Sequence, residues 1–430
     1  MKQQLRADAE TVVRQAICAV KPDEAVRRAM KQVKLTGRVY LVAVGKAAWQ
    51  MAAAAERCLE KPLCRGIVIT KYGHVMGEIP GVTCFEAGHP VPDENSFAAT
   101  RAVLDMTGDL SQEDTVLFLL SGGGSALFEL PLVEPEVLQT VTQRLLAGGA
   151  GITEINTLRK RLSRVKGGRF ALHCAPARVE AVILSDILGD PVDMIASGPA
   201  AADPTTREAA EEIARKYGLE GWTEVRACLE WETPKEVSNV HTQVIGSVRQ
   251  LCRAAEQAAS ALGYECIFLT DRLDGEASDT GRWMGEKLRE YADSGRNIAL
   301  LAGGETVVHL KGSGKGGRNQ ELALAAAEVL EGVPNAALIS AGSDGTDGPT
   351  DAAGGYADGD TVRALRELGM DIRAYLDNND AYHALGAVGN LLFTGPTGTN
   401  VNDVTVGLVR GTEHAELPRF PNRCLKEQDF

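Results

Sequence analysis

Seven times along 430 residues the chain returns to one pattern: a short, unbroken apolar run bounded by Gly or Asp, then an Ala-, Leu- and Glu-rich stretch. The runs are VYLVAVG (39–45), GIVITK (66–71), TVLFLLSGG (115–123), EAVILSD (180–186), ECIFLTD (265–271), IALLAGGET (298–306) and AALISAGSDG (336–345). Runs without polar alternation fit strands buried on both faces, which occur where helices cover a mostly parallel sheet. The stretches at 46–59, 134–147, 244–262, 277–293 and 318–331 read as those helices. The class is therefore α/β. A chain of 430 residues exceeds one ordinary core, so two domains are expected. The polar segment 203–240 supplies a boundary, giving 1–235 and 236–430.

Several function classes are excluded early. A net charge of −13 disfavours nucleic acid, whose phosphates call for clustered Lys and Arg. No run of 18 apolar residues is present, so no membrane span is expected. The opening MKQQLRADAETVVRQAICAV is an amphipathic helix pattern with charges throughout, unlike a signal peptide, and it has room to pack on the second domain. Nine scattered cysteines include no CxxC pair, which suits a reducing, cytoplasmic setting. Seven histidines form no HxH or HxxxH pair, so a zinc site is not expected.

Ligands of α/β sheets gather at the carboxyl ends of the strands. Lys46 follows the first run at the opening of a helix, where amides and a cation attract phosphate or carboxylate; the alternative is a lysine on a surface turn. Ser121, Gly122, Gly123, Gly124 and Ser125 follow another buried run. Such a loop offers backbone N–H groups to an anion, although it lacks Walker A spacing and equally suits a tight turn. Gly312, Gly314 and Gly317 match GxGxxG, but Arg318 and Asn319 open the helix that follows. A plain dinucleotide loop needs no such arginine, whereas Arg318 suits bidentate phosphate contact. Glu305 stands at a strand end, and Asp344, Asp347 and Asp351 crowd after the last run, as ligands for Mg²⁺ or as an Asp/Gly turn series. Asp186 follows a further strand, and the basic strip RKRLSRVKGGR includes Lys166 and Arg169 as candidate anion contacts. His89, between Gly and Pro, reads as structural.

Together VAVGKAA, EAGHPVPDENS, LLSGGGSAL, INTLRKRLSRVKGGR, ILSDILGDPVDMIASGP, GGETVV, GKGGRNQE, SAGSDGTDGPTDAAGG and TGPTGTNVNDV resemble the class II glycerate kinase family over residues 5 to 410. The resemblance implies a Rossmann-like N-terminal domain, a C-terminal α/β MOFRL domain and an active site in the cleft between them. It implies glycerate 2-kinase activity on D-glycerate with ATP and Mg²⁺, and a homodimer is compatible with it. By this resemblance Lys46 and Arg318 match catalytic or phosphate-contacting cations, the GGGS loop a substrate loop, and Asp344, Asp347 and Asp351 an acidic metal site. On the residues themselves Asp186 is a further catalytic candidate, Lys166, Arg169 and Asn319 are candidate substrate or phosphate contacts, and Glu305 is a candidate metal ligand. Alanines in ASGPAAADPTT depart slightly from the family pattern. Because some members carry the name hydroxypyruvate reductase, an NAD(P)H-dependent reductase is the second reading, and a non-enzymatic sugar-acid sensor the third.

Overall fold

The buried apolar runs assemble into two six-stranded sheets. The computed structural model describes residues 2–185, 187 and 189–411. Asp186 lies outside the described residues, as do Cys424 and His414.

In the first sheet β1 (Val39–Val44), β2 (Arg65–Lys71), β3 (Val82–Ala87), β4 (Thr115–Leu120), β5 (Arg178–Leu184) and β6 (Val240–Gly246) take the order β3-β2-β1-β4-β5-β6. Every pairing is parallel. This is the doubly wound order of a Rossmann-like sheet, with its topological switch point between β1 and β4. Those two central strands are almost wholly buried, as their unbroken Val and Leu content requires. Phe118 on β4 stacks against Phe170 at 4.9 Å between ring centres and lies 6.0 Å from Phe128.

The second sheet contains β7 (Glu265–Leu273), β8 (Ile298–Gly304), β9 (Ala336–Gly342), β10 (Gly354–Asp358), β11 (Leu391–Leu392) and β12 (Asp403–Val409). Their order is β11-β10-β9-β12-β8-β7. Here pairing is mixed: β7 and β8 run parallel, whereas β12 runs antiparallel to both β8 and β9, and β10 runs antiparallel to β9. DVTVGLV is as apolar as any buried strand, but its reversed direction is set by the return of the chain and leaves no mark in composition.

Packing divides the chain into two compact units. One comprises residues to Ala16, Cys252–Pro396 and residues from Asp403 on; the other comprises Ile17–Leu251 and Thr397–Asn402. In the former, the N-terminal helix Lys2–Ala19 is anchored by Asp8, which accepts a hydrogen bond from Tyr264 at 2.7 Å. The polar segment near 203–240 is no linker. Its helices Arg207–Lys216 and Thr223–Leu229 bury Ala210, Ala214, Val225 and Leu229 against Leu138, Leu145 and Leu158. Residues 236–251, assigned by sequence to the second domain, add β6 to the first sheet. No helix among the described residues is long and apolar enough to cross a membrane.

Phe118 is wholly buried, so Phe118→Ala should cost about 3–5 kcal/mol through lost transfer energy and an unfilled cavity. Equilibrium urea unfolding of the unit that holds the first sheet will show this as a lowered midpoint.

Candidate active site

At the switch point the carboxyl ends of β1 and β4 come so close that a Cβ on Gly45 would meet Ser121 Oγ at 2.2 Å. Gly45 also has φ of +122°, so glycine is required twice over. The contact is sealed by Ala47 N–H donating to Ser121 Oγ at 3.1 Å and Lys46 N–H donating to Gly122 O at 2.9 Å. Ser121 is therefore a buried brace, and the exposed Lys46 side chain stands beside the glycine loop. Gly123, Gly124 and Ser125 open the short helix Gly124–Leu127, and their N–H groups take no hydrogen bond among the described residues. Ser125 Oγ reaches Ser197 Oγ at 3.2 Å, and Ser197 donates to Asn156 Oδ1 at 2.8 Å.

Lys71, His74 and His89 surround the same end of the sheet. Desolvation and then the charges of Lys46, Lys71 and His74 hold the His89 imidazole below its ordinary pKa. The loop carrying His89 is fixed downstream by Asp93, whose carboxylate caps helix Glu94–Met106 by accepting from Ser96 N–H at 3.0 Å. The arrangement is a cationic, donor-rich cluster suited to a phosphate or carboxylate.

The basic strip is used inside the fold. Lys166 is fully buried, 2.9 Å from Glu129 Oε2 and donating to Phe128 O at 2.7 Å. Burial lowers its pKa against the pull of Glu129. Arg169 donates to the carbonyls of Lys160 and Ser163 at 2.5 and 2.8 Å. The Lys166 ammonium and Arg169 Nη1 are thus engaged inside the fold; a run of cations in sequence does not reveal the acceptors awaiting each one.

In the other unit Arg318 forms a fork. Nε and Nη2 donate to Asp403 at 2.5 and 3.0 Å, and Nη1 donates to Glu305 at 2.9 Å. Burial disfavours the guanidinium charge, but Asp403 and Glu305 hold its pKa above the ordinary value. Asp403 itself is lifted to about 6 by burial, with Arg318 pulling the other way. Sequence reasoning missed Asp403; its one signal was its place at the end of the TGPTGTNVNDV motif.

Asp347 is a buried helix cap. Its oxygens accept the N–H groups of Asn319 at 3.1 Å and Gln320 at 2.9 Å, at the start of helix Arg318–Leu330. A Cβ on Gly317 would lie 2.3 Å from Asp347 Cγ, so glycine admits the carboxylate. Asn319 is likewise internal, its Oδ1 accepting from Ser340 Oγ at 2.6 Å. Asp351 accepts from Tyr382 OH at 2.7 Å, and Asp344 closes a turn onto Thr346 N–H at 2.9 Å. The four carboxylates expected to bind metal thus do not gather, and among the described residues no three His, Cys, Asp or Glu are placed to hold an ion. Mg²⁺ associated with a nucleotide needs only one or two carboxylates. Asp344 suits that sparser role: its Oδ1 and Asp403 Oδ1 would lie 3.3 and 3.5 Å from a Cβ on Gly342.

The GxGxxG loop is not open to a cofactor. Asn379 Oδ1 accepts from Gly312 N–H at 3.1 Å, Asn378 O from Gly314 N–H at 2.9 Å, and Asp380 Oδ1 from Lys315 N–H at 2.9 Å.

Residues 8–230 match a domain of unknown function, DUF4147, and residues 298–403 match the MOFRL family. A D-glycerate 2-kinase of Thermotoga maritima is 52% identical over 404 residues, spanning 93% of this chain and 97% of that protein. The chain belongs to the class II glycerate kinase family. A crystal structure of glycerate kinase from Thermotoga maritima matches with a TM-score of 0.91 at 52% identity, over 95% of this chain and 100% of that one. An Agrobacterium vitis relative in this kinase family bears the name hydroxypyruvate reductase, at 39% identity over 87% of each chain.

Within this glycerate kinase fold Lys166→Met should lose about 3–5 kcal/mol of stability, because Glu129 is left buried without its cation. Thermal unfolding will read the loss. A variant as stable as the parent would return Lys166 to the candidate ligand contacts.

Proposed function

We propose that this chain is an ATP-dependent glycerate 2-kinase, moving the γ-phosphoryl group of ATP to the 2-hydroxyl of D-glycerate. The observation that carries the reading is the exposed Lys46 ammonium beside unused loop amides at the switch point of a 3-2-1-4-5-6 sheet, in a member of this kinase family. Phosphoryl transfer asks little covalent chemistry of a protein; it needs reactants aligned and charge stabilised. Lys46 and the amides of Gly123, Gly124 and Ser125 supply fixed positive potential for a phosphoryl group or the glycerate carboxylate.

Arg318 is the second cation of the reading. Asp403 grips its Nε–Nη2 edge from a buried position, while the partner on Nη1, Glu305, is exposed. The Nη1 edge is therefore the one from which a phosphate oxygen can take over. Asp403 acts as a positioning residue, and Asp347 does the same by fixing the start of the helix that carries Arg318. A Mg²⁺ ion, when bound, neutralises charge on the β- and γ-phosphate oxygens; Asp344 and Glu305 are the residues proposed to hold it. Among the described residues the scattered cysteines form no disulfide, which suits the cytoplasm as its setting.

Two observations weigh against hydride transfer. The amides of the GxGxxG loop are already engaged by residues 378–380. His89, the one candidate acid in that reading, has no carboxylate partner among the described residues.

Lys46→Ala and Arg318→Ala should each lower kcat with ATP, Mg²⁺ and D-glycerate by about 10²-fold or more; thermal unfolding should be unchanged in Lys46→Ala and lowered in Arg318→Ala, where Asp403 is left buried without its cation. ADP release measures the turnover. Parent-like rates in both variants would contradict the assignment, and NADH oxidation by hydroxypyruvate without any ADP release would replace it with the reductase.

A further inference from the structure

Six histidines lie among the described residues, and five have evident employment. His74 Nδ1 sits 3.1 Å from Lys46 O, and His173 Nε2 sits 3.0 Å from Leu104 O. His241 meets Glu180 at 2.8 Å, His383 meets Asp380 at 2.5 Å, and His309 pairs with Glu276. His89 has no hydrogen-bond partner among the described residues, although its ring is half-buried and well placed. A half-buried imidazole with both nitrogens unengaged by the protein is free to meet a ligand on the glycine-loop side.

The surroundings say what that is. A Cβ on Gly123 would lie 3.1 Å from His89 Nε2 and 3.2 Å from Lys46 Cγ, so ring, glycine loop and lysine stem share one contact. Any larger residue at Gly123 would press on the imidazole, and the φ of +88° there also favours glycine. Among the described residues the basic groups facing the ring are Lys46, Lys71 and His74, while Asp93 packs against neighbouring Gly88 with its own oxygens taken by Ser96 and Tyr72. Cations around the ring favour its neutral form, the form that accepts a proton.

We propose that His89 is the proton acceptor for the glycerate hydroxyl, a catalytic residue that sequence reading set aside as structural. The inference rests on the kinase reading and deepens it. As the hydroxyl oxygen bonds to the γ-phosphorus, the bond from that phosphorus to the bridging oxygen breaks and its electron pair leaves on ADP. The hydroxyl proton moves to an unoccupied ring nitrogen of His89. The imidazolium so formed beside Lys46 is balanced by the newly placed phosphoryl charge, and it returns its proton to water when product leaves.

The test uses the full-length enzyme with His89→Gln and His89→Ala, assayed by ADP release across pH. We expect kcat to fall about 10²- to 10⁴-fold, with the KM for ATP changed little. In the parent, kcat/KM for glycerate should fall only below pH 6.5, the ordinary histidine value, because the folded pKa is lowered. That acid limb should vanish in His89→Gln, and added imidazole should restore part of the turnover of His89→Ala. Parent-like kcat in His89→Gln overturns the proposal while leaving the kinase reading intact. A slow variant that keeps the acid limb, with no imidazole rescue of His89→Ala, also overturns it, reducing His89 to a positioning residue. A parent enzyme that makes no ADP from glycerate and ATP would instead sink the kinase reading itself.

Discussion

The near collision of β1 with β4 at their carboxyl ends is the constraint on which the first site depends. Two wholly apolar strands are driven side by side into the sheet centre, and only a residue without a side chain fits where Gly45 meets Ser121. Because Ser121 then accepts from Ala47 and Gly122 from Lys46, the lysine loop and the glycine loop move as one body. Hydrophobic burial thus sets the spacing of polar groups several residues away. The functional end of the sheet inherits its rigidity from strands that take no part in chemistry.

The other unit solves a comparable problem with a carboxylate. Asp347 enters the space left by Gly317 and satisfies two amides that a helix N-terminus would otherwise leave open. That cap orients Arg318, and Asp403 locks two of its nitrogens. Burying Asp403 is unfavourable for its charge, as its elevated pKa of about 6 records. The fork geometry offsets this by pairing both oxygens, which a lysine in place of Arg318 could not do.

Sequence carried the strand runs, the α/β class and the clustering of Gly, Lys and Asp at strand ends, because each is a local property of composition. Direction of pairing was less legible: β12 resembles any buried strand, yet runs antiparallel between β8 and β9. The polar segment after residue 203 looked like a boundary because its helices bury only a narrow face. Among the proposed site residues, Lys46, Gly123 and Arg318 could be found from their positions after strands or at a helix start. That Lys166, Arg169, Asn319 and Asp347 have partners inside the fold could not be read from sequence, since burial and partner choice depend on residues far away along the chain. Asp403 was missed for the same reason: its partner stands 85 positions earlier. His89 was underrated because the absence of a partner is visible only in three dimensions.

The central claim is that this chain places the γ-phosphoryl group of ATP on the secondary hydroxyl of D-glycerate. Phosphorus NMR of a reaction containing ATP, Mg²⁺, D-glycerate and the full-length protein tests it most directly. The account predicts loss of the γ-phosphorus signal with matching growth of 2-phosphoglycerate. Formation of 3-phosphoglycerate would contradict the assigned hydroxyl, and inorganic phosphate alone, or no change, would contradict the activity.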